Sequence, residues 1–466
     1  MRTSSSDERD QRAQAAGPEG APEVAGGAVA LLVLAAFALG LAIHLRSPDL
    51  NVPSFLLLTA ALACAGTAAA RPGLGAWVDE RAVTALLTGC VLLQLAAYAL
   101  KPPAYYLRLD RFGLWPFHAG VVAAGLTVVA GALVPGARRL WFPLLAAISL
   151  GLGVWLLRAS PDPYIDVWAI QREALGALLR GANPYAVTPA NVYPDDWAYG
   201  PGVVVNGHYT FGFQYPPLAL LLLVPGRVLF GDSRASLLLA QVGAAALLAR
   251  LHPGRRGALA GALLLFTPRA FFILENAWVE PLCTLLLVAT AWCAARRRPG
   301  LLPWALGLLL ASKQYLVLAV PLCALLLPGP LRRRELAKLL GRALAVTLAV
   351  SLPLALWDVN AFTRSVIALQ FRQPFRPDSL SYLAVLARAA GIQLPALVGI
   401  AAAAVAAAVG LRWLPRTPSG FCAAAGLTFL AFFAFSRQAF GNYYSFVLGA
   451  LCAAVAAAPG LTARRR

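Results

Sequence analysis

Charged residues are scarce in this sequence. Of its 466 residues, 13% are charged and 60% are hydrophobic. In a soluble domain roughly a quarter of all residues are charged, and they cover its surface. This shortage therefore excludes a soluble globular protein of this length. Apolar runs recur from end to end, each close to the roughly 20 residues that a helix needs to cross the hydrocarbon of a bilayer. The sequence therefore predicts an all-α fold, a polytopic helical membrane protein.

Acidic residues are fewer than basic ones, 20 against 39, which leaves a net charge of +19. This charge does not indicate a nucleic-acid partner, because the arginines occur in short clusters between apolar runs. The clusters are Arg138 and Arg139, Arg255 and Arg256, Arg296 to Arg298, Arg332 to Arg334, and Arg464 to Arg466. Such clusters are typical of cytoplasmic loops, and they contact membrane lipids.

Twelve apolar runs are candidate membrane spans. They are 27–46, 53–70, 83–100, 113–135, 141–158, 233–251, 257–274, 278–295, 336–357, 394–412, 419–435 and 443–459. With shorter segments added, we expect about 12–14 transmembrane helices. Residues 1–25 are polar and rich in Ala, Gly and Pro, which predicts a disordered cytoplasmic tail, and residues 460–466 form a basic cytoplasmic tail.

The arginine clusters predict the orientation. Placing them in the cytoplasm puts both termini there too, and leaves on the extracytoplasmic side residues 159–232, 275–277, 358–393 and 436–442. The loop 101–111 departs from this rule, because it carries Lys101, Arg108 and Arg111 on the outer side.

No disulfide framework is indicated. All seven cysteines fall in predicted spans without paired spacing: Cys64, Cys90, Cys283, Cys293, Cys323, Cys422 and Cys452. We interpret them as small buried apolar residues. No spacing of residues predicts a tight metal site.

Two apolar segments do not fit simple alternation across the membrane. Residues 216–231 must begin and end outside, which predicts a juxtamembrane or re-entrant helix. Residues 301–327 have arginine clusters at both ends, which predicts two short half-helices that meet near Ser312 and Lys313. Because broken backbone at membrane depth requires surrounding protein or water, we expect a cavity with Lys313 at its edge.

The outer segment 159–215 is far longer than an ordinary connection. Residues 166–180 have helical periodicity, and Asp166 and Glu173 lie two turns apart on one face, about 10 Å along the axis. Gly181 is the predicted cap and stop of this helix. The helix either turns a polar face toward a cleft or is an ordinary amphipathic helix at the membrane interface.

The rest of this outer segment combines aromatic rings with polar groups. Rings packing on sugar C–H faces, with polar side chains binding hydroxyls, would make a sugar-binding wall. An aromatic belt at the membrane interface is the alternative. His208 taken alone favours a structural role over a ligand-binding one. The residues concerned are Tyr185, Tyr193, Trp197, Tyr199, Tyr209, Phe211, Phe213 and Tyr215, with Asp195, Asp196, Asn206, His208 and Gln214.

Lysine is nearly absent, with three residues against 36 arginines. A lysine kept inside an apolar stretch, Lys313, therefore indicates a need for a compact ammonium. Ionisable groups in spans are functional candidates by default, with an anion such as a lipid phosphate as partner. Snorkelling of the side chain to the interface is the alternative.

Three shorter outer patches carry further candidates. The stretch "ENAWVE" has Glu275, Asn276 and Glu280, with the two carboxylates too far apart for a close pair. The other two contribute Arg372, Arg376, Asp378 and Ser379, and Arg437, Gln438, Asn442, Tyr443 and Tyr444. Their shared predicted side, with arginines opposite carboxylates, favours one composite site.

Nucleotide-binding, nucleophile-elbow and zinc-protease motifs are all absent. The stretches "DVWAIQREALGALLRGANPY", "FQYPPLALLLLVPGRVLFG" and "ASKQYLVLAVP" nevertheless resemble the GT-C superfamily of membrane glycosyltransferases, and most of all the family-87 polyprenyl-phosphate mannosyltransferases. "ENAWVE" and "SRQAFGNYY" are similar to stretches of those proteins too. The resemblance covers 141–459, so residues 26–140 would be four extra N-terminal helices.

The resemblance implies an activity. Members of the family move a sugar, mannose in the first instance, from a polyprenyl-phosphate donor to a lipid or glycan acceptor with inversion, on the extracytoplasmic face. Asp166 matches their general base, and the donor phosphate would be bound by Lys313, Arg372, Arg376 or Arg437. Residues for the sugar or acceptor would be Glu173, His208, Tyr215, Glu280, Gln438, Asn442 and Tyr443. No cofactor is required, while a divalent cation is left undecided.

Three other functions stay open at the level of sequence. A transporter or flippase of a lipid-linked substrate would place its site at mid-depth on broken helices. A polymerase or ligase of lipid-linked oligosaccharides would use arginines and His208 without a carboxylate base. A membrane scaffold would need none of these groups. Replacing Asp166 by Asn separates these from a transferase, because only the transferase needs this carboxylate.

Overall fold

A computed structural model describes residues 24–45, 51–134, 136, 139–193, 198–252 and 254–461 of the chain. Over these ranges the regular secondary structure is helical, apart from one hairpin whose two strands have two residues each. Most of both predicted tails, residues 1–23 and 462–466, lies outside the described residues.

Up to Leu251, the described part of the chain contains nine helices and the hairpin. They are α1 (Gly26–Leu45), α2 (Val52–Ala70), α3 (Glu80–Ala97), α4 (Leu109–Phe112), α5 (Trp115–Leu133), α6 (Trp141–Ala159), α7 (Asp166–Leu179), β1 (Val204–Val205), β2 (His208–Tyr209), α8 (Pro217–Phe230) and α9 (Arg234–Leu251).

The second half continues with α10 (Arg255–Leu265), α11 (Ala270–Glu275), α12 (Glu280–Ala295), α13 (Leu302–Leu310), 3₁₀ turns at Gln314–Ala319 and Pro321–Leu326, α14 (Arg333–Ala355), α15 (Val359–Phe362), a π-helical segment Thr363–Ala368, α16 (Leu369–Arg372), α17 (Tyr382–Ala390), α18 (Leu397–Trp413), α19 (Pro418–Ala434) and α20 (Gly441–Ala457).

Seven of these helices are long and apolar enough to cross a membrane, namely α1, α2, α3, α5, α6, α9 and α14. Five shorter apolar helices accompany them: α8, α12, α18, α19 and α20. The prediction of an all-α, polytopic membrane-spanning protein is thereby confirmed. The larger number of crossings stays a prediction.

The predicted span 257–274 is divided in two. Helix α10 ends at Leu265 and α11 begins at Ala270, with Thr267 and Pro268 between them. Proline has no N–H to donate and disfavours helical backbone in the residue before it. The Thr267 carbonyl accepts a hydrogen bond from the Tyr98 hydroxyl at 2.6 Å. A residue at the end of α3 therefore supplies a hydrogen-bond partner for a backbone carbonyl at the break.

The predicted break at Ser312 and Lys313 is present. Helix α13 ends at Leu310, Lys313 has extended backbone (φ −156°, ψ 144°), and 3₁₀ turns follow in place of the second α-helical half. Pro321 begins the second of these turns. Gln314 ties the break to its surroundings by donating to the carbonyls of Gln214 at 2.7 Å and Val366 at 3.1 Å.

The N-terminal helices share one hydrophobic core with the rest of the described chain. Helix α1 is mostly buried and packs against α2, α3 and the last helix, α20. The loop after α3 contacts the end of α11, because the backbone N–H groups of Tyr105 and Tyr106 donate to the Glu275 carboxylate. One continuous core therefore joins both ends of the chain.

In two helices, chain direction separates a described arginine cluster from a segment predicted to lie outside. Helix α12 runs from Glu280 to Ala295, next to Arg296, and α14 runs from Arg333 toward the segment around Arg372. Lys101 belongs to the loop 101–111, which departs from the charge rule. It lies at the end of the bundle with the segments predicted to lie outside, where its ammonium donates to the carbonyls of His44 and Leu45 at 3.3 and 3.1 Å. It caps the carboxyl end of α1, a position that favours a cation.

Candidate functional site

A cavity of about 950 Å³ opens at the end of the bundle formed by the segments that the sequence predicts to lie outside. Its lining comes from connections and from the first or last turns of helices rather than from mid-helix positions. Asp166, Tyr199, Tyr215, Arg269, Arg376 and Asn442 are among the lining residues. A cavity of this size lies at the upper end of the range of small-molecule sites.

Asp166 is placed by the entry to helix α7. Asp162 accepts a hydrogen bond from the Trp168 indole at 3.0 Å, and Trp168 lies 4.4 Å beneath the buried guanidinium of Arg234. Gln171 donates to the carbonyl of Ala277 at 2.7 Å. These contacts hold the helix against the start of α9 and the turn between α11 and α12, so that its first residue faces the cavity.

The carbonyl that Gln171 binds belongs to a residue with unusual backbone. Ala277 is fully buried and has a φ of +57°, a conformation that costs a non-glycine residue roughly 1–2 kcal/mol. The surrounding contacts must therefore determine this turn of "ENAWVE", which lies beside the cavity-lining residue Trp278.

Three donors surround the Asp166 carboxylate. The Val167 N–H donates to Oδ1 at 2.7 Å, the Tyr193 hydroxyl donates to Oδ1 at 3.3 Å, and the Tyr199 hydroxyl donates to Oδ2. Burial raises the pKa of Asp166 above its usual value, while these donors and the nearby Arg376 charge act in the opposite direction. The result is a positioned carboxylate whose basicity exceeds that of an exposed aspartate.

The aromatic loop has a small core of its own. Tyr209 and Phe211 pack with Ile170, Val203 and Leu369. The turn between β1 and β2 has positive φ at Asn206 and Gly207, 52° and 76°, as a two-residue hairpin loop requires. His208 is exposed on this hairpin, with Nδ1 3.0 Å from the Thr188 carbonyl oxygen.

Half of the predicted aromatic wall lines the cavity. The lining rings are Tyr193, Tyr199, Phe211 and Tyr215, together with the predicted Gln214. Tyr185, Tyr209 and Phe213 are buried, and Tyr185 donates to the Tyr215 carbonyl at 3.0 Å. Asp195, Asp196 and Trp197 lie outside the described residues.

Tyr199 is held in place by a close backbone approach. A Cβ added to Gly200 would lie 2.3 Å from the carbonyl oxygen of Arg372, so only glycine lets the two segments meet. Arg372 itself is exposed and does not line the cavity.

Two of the predicted outer patches are joined by hydrogen bonds. The Arg376 N–H donates to the Arg437 carbonyl at 3.1 Å, and the Gln438 amide donates to the Pro374 carbonyl at 2.9 Å. Within the first patch, Arg376 makes a two-point ion pair with Asp378, with both nitrogen–oxygen distances 2.9 Å. Arg376, Asp378 and Gln438 line the cavity, whereas Arg437 does not.

Lys313 and Glu280 lie beneath the cavity rather than on its wall. They form an ion pair in which the side chains are 3% and 0% exposed. Asn442 donates to the same Glu280 oxygen at 2.8 Å. The Lys313 ammonium lies 4.7 Å from the Tyr215 ring centroid and 5.3 Å from that of Tyr443, so these two cavity-lining rings cover it.

The cavity wall contributed by the N-terminal half was missed by sequence reasoning. Tyr105 and Tyr106 line the cavity, and Glu275 fixes them by accepting their backbone N–H groups at 2.7 and 2.8 Å. Arg269 lines the same wall and donates to the Tyr105 hydroxyl at 2.8 Å. The position of Arg269 next to the predicted outer turn at 275–277 was the available signal.

The structure thus brings together half of the predicted site residues. Those lining the cavity are Asp166, Tyr215, Arg376, Gln438, Asn442 and Tyr443. Those that do not line it are Glu173, His208, Glu280, Lys313, Arg372 and Arg437. Glu173 shares a helix face with Asp166, but two turns carry it about 10 Å along the axis to an exposed position.

Within the described ranges, no cluster of three or more His, Cys, Asp or Glu side chains could hold a metal ion. All seven cysteines are free thiols, six of them buried. No protein-family model, curated protein or solved structure matches this chain.

Proposed function

We propose that the protein is an inverting glycosyltransferase that moves a hexose from a polyprenyl-phosphate donor to a lipid or glycan hydroxyl at the extracytoplasmic face. The observation that carries the proposal is Asp166, a carboxylate at the start of a helix, held by Tyr193 and Tyr199 on the wall of a cavity of about 950 Å³. The GT-C-like fold, the choice of mannose and the membrane orientation are parts of this proposal.

In the reaction, Asp166 accepts the proton of an acceptor hydroxyl as that oxygen attacks the anomeric carbon from the face opposite the leaving group. The bond between the anomeric carbon and the phosphate oxygen breaks, and the electron pair leaves with the lipid phosphate. Because a phosphate needs no protonation to leave, one carboxylate is sufficient, in contrast to the pair used by glycosidases.

The lining of the cavity supports a sugar as ligand. Tyr193, Tyr199, Tyr215 and Tyr443 offer ring faces and hydroxyls, and Gln438 and Asn442 offer amides. Rigid aromatic surfaces with a few polar groups are the usual composition of small-molecule sites. A donor anchored in the bilayer would meet this cavity at the end of the bundle, without crossing its core.

A transporter or flippase is the alternative, and the break at Lys313 is the observation that favours it. The break is filled by the Lys313–Glu280 ion pair, and the cavity lies at one end of the bundle rather than at mid-depth. These features support chemistry at the interface over passage through the protein.

The test uses purified protein in nanodiscs with a panel of radiolabelled polyprenyl-phosphate sugars and host lipid extract as acceptor. Wild type should convert one donor into a new product, and Asp166→Asn should be slower by about 100-fold or more, because a general base typically contributes that much. Glu173→Gln is the matched control, since it alters a carboxylate on the same helix outside the cavity. Equal turnover by wild type and Asp166→Asn would exclude Asp166 as the base.

A further inference from the structure

Three arginines line the cavity, but they differ in how their charges are balanced. Arg376 is bound at two points by Asp378. Arg388 is exposed on α17, where solvent screens its charge. Arg269 is 3% exposed, and within the described part of the chain no carboxylate forms an ion pair with it. An anion entering the cavity would therefore gain most from Arg269.

The contacts of Arg269 leave part of its guanidinium unused. Nη2 donates to the Tyr105 hydroxyl at 2.8 Å, and the group lies 4.9 Å from the Tyr105 ring and 5.0 Å from the Phe272 ring. Nη1 is buried and makes no hydrogen bond. A buried charge without a hydrogen-bonded counter-charge is costly, so its retention on a cavity wall indicates a ligand of opposite charge.

A second cation, Lys101, belongs to the same connection as Tyr105 but does not line the cavity. Burial lowers the pKa of Lys101, and the Arg269 charge lowers it further. The Lys101 ammonium is held there by the carbonyls at the end of α1. On the wall itself, the polar neighbour of Arg269 is the Tyr105 hydroxyl, which accepts from Arg269 and keeps its own proton for donation.

This wall is close to the candidate base. Glu275 accepts a hydrogen bond from the backbone N–H of Tyr106 at 2.8 Å. Burial raises the pKa of Tyr106, and the Glu275 and Asp166 charges raise it further. Tyr106 is the neighbour of Tyr105 in the chain, and both line the cavity with Asp166. An anion on Arg269 and a hydroxyl on Asp166 would thus occupy one continuous space.

We propose that Arg269 and the Tyr105 hydroxyl form an anion-binding subsite that takes the phosphate of a lipid. The proposal deepens the glycosyl transfer proposed above and rests on it for the identity of the lipid. It replaces Lys313 as the cation for the donor phosphate, because Lys313 is covered by tyrosine rings and neutralised by Glu280. It also gives the N-terminal half of the chain a role, since the connection after α3 supplies Tyr105.

The test measures binding of a polyprenyl phosphate, and of the polyprenol of the same length, to the full-length protein in zwitterionic nanodiscs. Arg269→Gln should weaken binding of the phosphate about tenfold or more, as expected for the loss of a charged hydrogen bond, and should leave binding of the polyprenol within about twofold. Arg269→Lys should retain part of the phosphate affinity. Arg172→Gln, an exposed arginine at the same end of the bundle, should bind both lipids as wild type does.

A second arm identifies the source of the phosphate. Competition by phosphatidylglycerol equal to that by the polyprenyl phosphate would indicate a site for any lipid phosphate, whereas weak competition would indicate selection of the polyprenyl chain. If folded Arg269→Gln binds the polyprenyl phosphate like wild type, or loses both lipids equally, the subsite is wrong.

The outcomes separate this subsite from the transferase proposal. Asp166→Asn should bind the polyprenyl phosphate like wild type. If wild type holds this lipid through Arg269 but transfers no sugar, the subsite stands and the transferase fails. If sugar is transferred with the same KM by wild type and Arg269→Gln, the transferase stands and the subsite is overturned.

Discussion

The ion pair between Lys313 and Glu280 should contribute to stability only as a pair. Its side chains are 3% and 0% exposed, Asn442 donates to Glu280 at 2.8 Å, and three tyrosine rings surround the ammonium, those of Tyr215, Tyr315 and Tyr443. We expect Lys313→Met to lower the free energy of unfolding by about 3–5 kcal/mol, because it leaves a buried carboxylate without its counter-charge.

The double variant Lys313→Met/Glu280→Leu should be more stable than Lys313→Met. It removes both charges and leaves only the Asn442 amide without its acceptor, a loss of about 1–3 kcal/mol. Glu280→Leu alone should be as damaging as Lys313→Met, since aromatic rings stabilise a cation by only about 0.5–2 kcal/mol each. The two single losses should therefore exceed the double loss by several kcal/mol, which is a measurable coupling.

The measurement is SDS-induced unfolding in mixed micelles, followed by tryptophan fluorescence. Lys338→Met is the matched control, because Lys338 forms an ion pair with Glu335 at 3.0 Å in which both side chains are about half exposed, and such pairs contribute little. The reasoning is refuted if the losses of the single variants simply add in the double variant, or if Lys313→Met behaves like Lys338→Met.

Two further predictions concern the base and the orientation. Tyr199→Phe removes a donor that holds the pKa of Asp166 down, so the acid limb of a kcat/KM profile should move to higher pH, while an unmoved limb would separate that limb from Asp166. In a Cys64→Ser background, His208→Cys on the exposed hairpin should react with an impermeant maleimide on intact cells, whereas Gly300→Cys, exposed at the opposite end, should react only after permeabilisation. The reverse labelling pattern would show that the cavity opens on the cytoplasmic side of the membrane.

The sequence alone predicted the features that depend on neighbouring residues. Apolar runs gave the positions of the helices, because a backbone in hydrocarbon must satisfy its own hydrogen bonds. The periodicity after Tyr164 predicted a helix over 166–180, and the helix spans Asp166–Leu179 with Gly181 at a φ of +72°. The arginine clusters at both ends of 301–327 predicted the break at Lys313. Charges at both ends favour the same side of the membrane for both, so the segment cannot cross the membrane once as a single helix.

The partners of the charged groups required the tertiary structure. Lys313 was expected on a cavity edge facing an anion, but its partner is Glu280, 33 residues earlier in the chain. Arg269 and Tyr105 are separated by 164 residues, and Glu275 and Tyr105 by 170. Sequence pattern specifies which face of a helix is polar but not which distant group meets it, and in a medium of low dielectric constant that pairing decides whether a charge is neutralised or available to a ligand.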